Sequence, residues 1–377
     1  MEQRERVILA LTSLPGVGAQ KIRLLLGAVY RPEEVFELSY KDLTDIPGVG
    51  PHLAKTVTNF KDWSVVDKLI DQAEKSGASL ISIEMEAYPE LLRQLPEAPL
   101  LLWVKGHAES LKTNAIAVVG TRNPTSYGKK MTAKVVPEMV EAGLTITSGL
   151  AYGIDTEAHR VCVDRGGTTV AVLGSGIDRV YPNSNIPLAH RIIDHGGAVI
   201  TEFPPGTKPD AGNFPVRNRV VSGLSLGTLV VESDTEGGSM ITAGVSLDQS
   251  REVFAIPHSL DQLKGQGGNK LIKNSQAKLV QHSSDILTEL NRFYRDPFSE
   301  AEAPPAVQKA KPAWQEIADL DEQSKLVCTL LSDGPLHIDT LCEQTGVPTD
   351  KLLVKLLELE FGGCVRQNAG KYFELMQ

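Results

Sequence analysis

The stretch Ile116–Gly128, IAVVGTRNPTSYG, decides the fold class of this chain. Its first four residues are all apolar and predict a strand that is buried on both faces. Gly120, Thr121 and Arg122 then turn the chain into a predicted helix. Free N–H groups and the helix dipole at such a helix start favour an anion, and an arginine adds a charged, planar donor suited to phosphate. The stretch therefore predicts a ligand that carries phosphate.

The same alternation of apolar runs and amphipathic helices extends over residues 78–291. This rhythm predicts an α/β domain with a doubly wound, Rossmann-like parallel sheet. Pro137 falls inside the helix that follows the first strand, and it is expected to kink or break that helix. The predicted strands are Ile116–Val119, Leu144–Thr147, Thr168–Leu173, Ala198–Thr201, Thr228–Val231 and Val253–Ile256.

Residues 1–75 form a separate helical segment with an internal repeat. LPGVG at Leu14–Gly18 recurs as IPGVG at Ile46–Gly50, and each copy leads into a helical pattern. The repeat predicts a helix–hairpin–helix (SAM-like) module. Its glycine N–H groups could hold phosphates without reading sequence, with Arg23 as reinforcement, although a purely structural role is left open. The predicted secondary phosphate contacts are Gly16, Gly18, Lys21, Gly48 and Gly50.

The C-terminal part of the chain divides into a linker and a third domain. Residues 296–318 are rich in proline, alanine and charge and predict an extended linker. Residues 319–377 show three helices followed by two short strands, the pattern of a winged helix. This segment carries five basic and ten acidic residues. A DNA-reading helix needs a basic footprint, so the winged helix is predicted to bind protein instead.

Composition limits where the protein acts and what it contains. The 377 residues carry a net charge of -9, so any binding to nucleic acid must come from a local patch. The four cysteines lack metal-ligand spacing, which predicts reduced thiols, no metal site and a cytoplasmic location. No cofactor is predicted. The sequence shows neither a signal peptide nor an apolar segment of membrane-spanning length.

The loops that follow the predicted strands form the candidate site, because the carboxyl ends of parallel strands meet at one edge of the sheet. Glycines beside serine or threonine supply backbone donors in these loops, and arginines supply charge. Phe214 is interpreted either as a core residue or as a platform for base stacking. Arg217 and Arg219 are two positions apart, so on a helix they point to different sides. The predicted site is Gly120, Thr121, Arg122, Ser148, Gly149, Ser175, Gly176, Phe214, Arg217, Asn218 and Arg219.

The usual enzyme motifs are missing from the sequence. There is no GxxxxGK[ST] phosphate loop and no HExxH pair. Asp155, Glu157 and His159 lie close together in GIDTEAH, where they are expected to cap a helix and solvate its surface. No nucleophile with a matching base is found. The protein is therefore predicted not to be an enzyme.

Several motifs in order resemble the DNA-processing protein A family (DprA, also called Smf). VVGTRNPTSYG resembles that family's GSR loop, with Thr121 in place of the serine, and FPVRNRVVSGLS and GSMITAGVSLDQSREVFAIP follow the family pattern. The resemblance implies sequence-independent binding of single-stranded DNA by a homodimer. It also implies that the protein protects incoming DNA in natural transformation and helps to load the RecA recombinase. The family's binding residues would be Arg122, Phe214, Arg217, Asn218 and Arg219.

The chain departs from the family pattern at four places, where a different local loop shape is expected. Asp210–Asn213 lacks the usual basic residue, and Ser250 and His258 stand where the family has glycine. The region Asn274–Gln276 lacks another glycine that the family usually has.

Two other functions remain open from sequence. Related Rossmann-like folds cleave nucleotide phosphoribosides with a PGGxGTxxE loop, for which TEGGSMITAG is the comparable segment. In this chain Thr242, Ala243 and Gly244 leave no acid on the following turn. The remaining alternative is a nucleotide-sensing scaffold, in which the cleft binds a mononucleotide and the acidic winged helix recruits a partner.

Overall fold

The structure is a computed structural model that describes residues 3–294, 321–332, 334–362, 364–368 and 371–375. The chain forms two compact units that divide after residue 295. The linker predicted at 296–318 lies outside the described residues. Within the described ranges, no helix is both long and apolar enough to cross a membrane.

One sheet of nine strands organises the first unit. Each of the six strands predicted from sequence is present, and a strand pair before them and a short strand after them were not predicted. The strands are β1 (Ser79–Ser82), β2 (Leu101–Gly106), β3 (Ala115–Gly120), β4 (Thr145–Ser148), β5 (Thr169–Val172), β6 (Ala198–Thr201), β7 (Gly227–Glu232), β8 (Glu252–Ala255) and β9 (Lys278–Leu279).

The order of the strands confirms the predicted doubly wound topology. In space the order is β1-β2-β6-β5-β4-β3-β7-β8-β9. From β6 to β9 all neighbours are parallel, whereas β1 and β2 add an antiparallel edge beside β6. The chain starts the parallel part in the middle, at β3, and then builds outward in both directions.

Helices cover both faces of this sheet, because β3 is apolar on both sides. Ile116 and Val118 pack into one core cluster, and Ala117 and Val119 pack into the other. The helices of the first unit are α1 (Gln3–Thr12), α2 (Ala19–Gly27), α3 (Tyr40–Asp45), α4 (Pro51–Thr58), α5 (Ser64–Lys75), α6 (Glu90–Arg93), α7 (Ser126–Glu141), α8 (Ile154–Asp164), α9 (Ile186–Asp194), α10 (Asn213–Gly223), α11 (Gly238–Asp248), α12 (Gln266–Lys273) and α13 (Ser283–Tyr294).

Helix α7 runs through Pro137 without a break, so the expected break at this residue was wrong. Val135 and Val136 before the proline and Met139 after it are all buried in the same core cluster. This packing stabilises the helix on both sides of the proline and offsets the backbone hydrogen bond that a proline cannot donate.

The N-terminal module packs directly on the edge of the sheet. Helices α1 to α5 share one core cluster with Leu101 and Trp103 of β2. The Arg23 guanidinium donates to the carbonyls of Pro96 (2.6 Å) and Ala98 (2.9 Å), so it fastens the module to the loop before β2. Arg23 therefore does not reinforce the glycine hairpin, as the sequence had suggested.

The second unit has the predicted pattern of a winged helix, with one additional short strand. Its helices α14 (Glu322–Leu331), α15 (Ile338–Thr345) and α16 (Thr349–Phe361) surround a small core. A three-stranded antiparallel sheet in the order β10-β12-β11 completes the unit. The strands are β10 (Leu336–His337), β11 (Val365–Asn368) and β12 (Tyr372–Leu375).

The start of α8 differs from the sequence interpretation, because Asp155 and His159 are buried and do not solvate the helix surface. The Asp155 carboxylate accepts the N–H groups of Gly149 (3.1 Å) and Ala151 (3.4 Å) in the preceding loop. His159 Nδ1 lies 2.7 Å from the Thr169 hydroxyl of β5. Burial lowers the pKa of His159 from its usual 6.5 to about 3.

A buried neutral histidine makes the fold sensitive to acid. The unfolded chain takes up a proton on His159 near pH 6.5, whereas the folded chain does not until about pH 3, so stability falls as the pH drops through this window. We expect this residue to cost about 2 kcal/mol of unfolding free energy between pH 7 and pH 5. In His159→Gln, the change in unfolding free energy between pH 7 and pH 5, measured by urea denaturation, should be smaller by that amount. The exposed His107→Gln is the control and should leave it unchanged.

Candidate functional site

A cavity of about 510 Å³ opens at the carboxyl ends of β3, β4 and β7. β4 and β7 flank β3, so the strand order reverses at this point, which is where open α/β sheets bind ligands. Seven of the eleven residues of the predicted site line this cavity. They are Gly120, Thr121, Arg122, Gly149, Phe214, Arg217 and Asn218.

Arg122 stands exposed at the mouth of the cavity, in the loop between β3 and α7. Its guanidinium carbon lies 5.3 Å from the centre of the Phe214 ring. Within the described part of the chain, no hydrogen bond or ion pair uses its N–H groups. All five donors of this guanidinium therefore remain available to an anion.

Phe214 lies at the start of α10 and is half-buried. Its ring rests on the backbone of Gly174, where an added Cβ would lie only 2.8 Å from Phe214 Cδ1. Tyr181 lies beside it, with 6.0 Å between the ring centres. Phe214 is thus a fixed aromatic surface in the cavity wall, and Arg122 covers part of that surface.

Arg217 is buried beneath the cavity and its donors are used inside the protein. It donates to the carbonyls of Gly149 and Val172 (2.5 Å to the latter) and to the side-chain oxygen of Asn218 (3.1 Å). Burial lowers the pKa of Arg217, and the nearby Asp155 carboxylate opposes that shift. This arginine joins the ends of β4 and β5 to α10 at the cavity floor.

The loop after β4 is held by internal hydrogen bonds. The Ser148 hydroxyl donates to the Val118 carbonyl of β3 (2.7 Å), and the Gly149 N–H donates to Asp155. An added Cβ at Gly149 would lie 2.2 Å from the Arg217 guanidinium. These two residues therefore shape the cavity, whereas the sequence analysis had treated them as backbone donors to the ligand.

Besides Ser148, three of the predicted residues do not line the cavity, because their polar groups are used elsewhere. The Ser175 hydroxyl donates to the Arg179 carbonyl (2.5 Å), and the Gly176 N–H donates to the Thr207 carbonyl (2.9 Å). Arg219 forms an ion pair with Glu202 (2.5 Å) on the other side of α10. The side chains of Arg217 and Arg219 thus diverge, as their spacing predicted.

Two features of the site are not among the predicted site residues. Glu232, at the end of β7, is buried and accepts the N–H of Thr125 (2.8 Å) before α7. An added Cβ at Gly128 would lie 2.2 Å from its carboxylate, so the glycine permits this contact. Gly237 and Gly238 begin α11 and line the cavity with backbone at a helix N-terminus. Only the glycine pair in TEGGSM could have signalled this contribution.

The N-terminal glycine hairpins have the geometry that their repeat implies. Gly16 (φ +71°) and Gly48 (φ +89°) adopt a conformation that favours glycine, and Gly18 and Gly50 precede α2 and α4 as N-cap residues. Lys21 donates to the carbonyl of Gly16 (2.8 Å) and so braces its own hairpin.

Comparison with protein families matches all three segments of the chain. A model described as DNA recombination-mediator protein A matches residues 79–291. A SAM-like helix-hairpin-helix tandem matches residues 8–60, and a DprA winged helix domain matches residues 309–371. The chain is also 35% identical over 304 residues to Protein Smf of Escherichia coli, which covers 80% of this chain and 79% of that protein. The chain belongs to the DprA/Smf family.

Other members of the DprA/Smf family agree with this assignment. The DNA processing protein DprA of Bacillus subtilis is 40% identical over 228 residues, covering 59% of this chain and 76% of its own length. The X-ray structure of DprA from Streptococcus pneumoniae has a TM-score of 0.65 at 35% identity and covers 77% of this chain and 98% of its own. DprA from Helicobacter pylori, whose structure is described with a single-stranded DNA binding mode, has a TM-score of 0.51 at 26% identity. The match covers 57% of this chain and 96% of that chain.

Two departures from the DprA/Smf pattern have a clear backbone consequence. Ser250 (φ +55°) and Ser275 (φ +56°) both adopt the left-handed conformation. The chain thus keeps a backbone shape that glycine adopts without strain, although it carries serine at these positions. At His258, Nδ1 lies 3.0 Å from the Ile256 carbonyl and the ring packs edge-on against Tyr127.

The two cavity arginines should respond in opposite ways to substitution. Arg217→Met leaves two buried carbonyls without their donor and removes the positive charge near the buried Asp155 carboxylate, so we expect a loss of about 3 kcal/mol of unfolding free energy. Arg122→Met removes an exposed side chain and should change that free energy by less than about 0.5 kcal/mol. Urea denaturation followed by tryptophan fluorescence, to which the buried Trp103 contributes, measures both. Equal losses in the two variants would contradict this division.

Proposed function

We propose that this protein binds single-stranded DNA without regard to sequence, at the cavity between β3, β4 and β7. The observation that carries the proposal is Arg122, an exposed guanidinium with no polar partner among the described residues, held against Phe214 at the cavity mouth. Proteins that bind single strands without sequence preference combine positive charge, which contacts the phosphate backbone, with aromatic rings, on which the bases stack. The Helicobacter pylori relative, with its single-stranded DNA binding mode, supports the same ligand.

Within this proposal the site residues have different roles. Arg122 binds a phosphate, Phe214 stacks a base, and the N-termini of α7 and α11 present backbone N–H groups to the strand. Gly120, Thr121, Gly149, Arg217 and Asn218 give the cavity its shape and potential. The glycine hairpins at Gly16–Gly18 and Gly48–Gly50 are secondary phosphate contacts.

We further propose that the protein acts without catalysis, as a homodimer in the cytoplasm. It protects incoming DNA and delivers it to the RecA recombinase in natural transformation; the family's description as a recombination mediator supports this role. All four cysteines are free thiols, as expected in a reducing compartment. The nucleotide-hydrolase alternative is disfavoured because Thr242, which lines the cavity one turn into α11, supplies no acid.

The winged helix is proposed to bind protein. Helix α16 buries Leu352, Leu356 and Leu359 in the core and leaves Val354 and Leu357 about half exposed on its outer face. Of its two lysines, Lys355 pairs with Asp321 and Glu358. A helix with an apolar outer face and little free positive charge suits a protein partner better than a DNA groove.

Binding to oligo-dT tests the central proposal. We expect tight binding that weakens with salt, with a log–log slope of about -0.7 for each phosphate neutralised. Arg122→Ala should weaken binding by about tenfold to a hundredfold, because it removes a charge-assisted contact of about 1.5–3 kcal/mol. Fluorescence anisotropy with a labelled oligonucleotide at several salt concentrations gives both values.

The matched control is Arg165→Ala, at the end of α8 and exposed at the opposite edge of the sheet, which should bind as wild type does. Salt-independent binding, or an unchanged affinity in Arg122→Ala, would contradict the proposal. Titration with dTMP separates the nucleotide-sensing alternative, which requires tight binding of the mononucleotide alone.

The role of Phe214 has its own test. Gly174→Ala places a methyl group against the ring and should displace it, which weakens oligo-dT binding about tenfold through loss of one stacked base. Gly244→Ala in α11 is the control, since an added Cβ there meets no atom within 4 Å. If both variants bind oligo-dT as wild type does, Phe214 does not stack a base.

A further inference from the structure

Two segments beside the cavity form one exposed surface, which we name the basic flank: residues 122–130, which include the first turn of α7, and residues 258–264. Two hydrogen bonds join the segments. Tyr127 donates its hydroxyl to the Pro257 carbonyl (3.0 Å), and the Lys264 ammonium donates to the Asn123 carbonyl (2.5 Å). Because Asn123 follows Arg122 directly, this surface continues outward from the mouth of the cavity.

The charge of the basic flank is opposite to that of the whole protein. It contains Arg122, Lys129, Lys130 and Lys264 against a single acid, Asp261, in a chain of net charge -9. Lys130 follows Tyr127 by three positions and so lies on the same face of α7. Such a local concentration of positive charge attracts a polyanion that the rest of the protein repels.

The basic flank also exposes large apolar side chains. Leu260 is 88% exposed and Leu263 is 71% exposed, on the same short loop as Lys264. Exposed leucines next to unneutralised lysines offer contacts for bases and for phosphates side by side. To a folded protein partner, the same surface would offer a small apolar patch surrounded by positive charge.

We propose that a single strand of DNA leaves the cavity past Arg122 and continues over the basic flank, where Lys264 and Lys130 bind phosphates and Leu260 and Leu263 contact bases. This inference rests on the proposed function, since it needs a strand in the cavity. It adds a second binding segment that only strands longer than the cavity can reach. The length of the DNA therefore determines whether the flank contributes to affinity.

The test compares oligo-dT of about 4 nucleotides, which the cavity alone accommodates, with oligo-dT of about 20 nucleotides. For Lys264→Gln we expect threefold to tenfold weaker binding of the long strand and unchanged binding of the short one. The salt slope for the long strand should fall by about 0.7, because one phosphate contact is lost. Lys264→Arg keeps the charge and should bind the long strand as wild type does.

A variant with both Leu260→Ser and Leu263→Ser measures the contribution of the apolar side chains to the affinity for the long strand, separately from that of the charges. It should bind the long strand severalfold more weakly with an unchanged salt slope, because no phosphate contact is removed. Arg165→Gln at the opposite edge of the sheet is the control and should bind both strands as wild type does.

The outcomes distinguish this inference from the proposed function. If Arg122→Ala binds both strands normally, the cavity proposal itself fails. If Arg122→Ala weakens binding of both strands but Lys264→Gln weakens binding of neither, only the proposed role of the basic flank is contradicted. Equal weakening of both strands by Lys264→Gln would mean that Lys264 acts through the Asn123 loop. If the leucine variant changes the molar mass by light scattering but not the affinity for the long strand, the loop is a protein interface.

Discussion

The shape of the cavity depends on the hydrogen bonds that the buried guanidinium of Arg217 donates. It donates to the carbonyls of Gly149 and Val172, which end β4 and β5, and it approaches from α10 on one face of the sheet. These carbonyls would otherwise point into a dry space without partners, which is costly. The charge is compensated by Asp155, which in turn accepts the N–H of Gly149. One side chain thus joins two strand ends, a helix and a loop through its hydrogen bonds.

Glu232 plays the matching part on the other side of β3. Its carboxylate accepts the N–H of Thr125 and touches the backbone of Gly128, so it sets the start of α7 relative to the end of β7. The loop between β3 and α7, which carries the exposed Arg122, therefore ends at a fixed point. A free charge on a fixed loop loses less conformational entropy on binding than a free charge on a mobile loop.

The sequence predicted the fold well because its signals are local, but the polar contacts of the site are not local. Apolar runs of four residues are enough to locate β3 to β8. Burial of His159, by contrast, depends on Thr169 of the next strand, and GIDTEAH alone looks like a solvated helix start. Pro137 was expected to kink or break α7, and the continuous helix was not foreseen because helix propensity does not include core packing. Ser250 and Ser275 are a second kind of exception. Both adopt the left-handed backbone conformation, which cannot be predicted from serine as a residue type.

The contrast between Arg122 and Arg217 suggests how an acidic chain would bind a polyanion in the way proposed above. Buried charge is effective at organising polar groups, yet its donors are consumed by the protein and no longer available to a ligand. Exposed charge keeps its donors, but water and salt screen it, so a single residue contributes little over distance. The cavity combines both: Arg217, whose charge Asp155 compensates, organises the cavity floor, and Arg122 contributes free donors at the mouth. In the proposed function, affinity for a long strand then requires further exposed charge along its path, so continuity between the cavity and the Lys264 loop matters more than net charge.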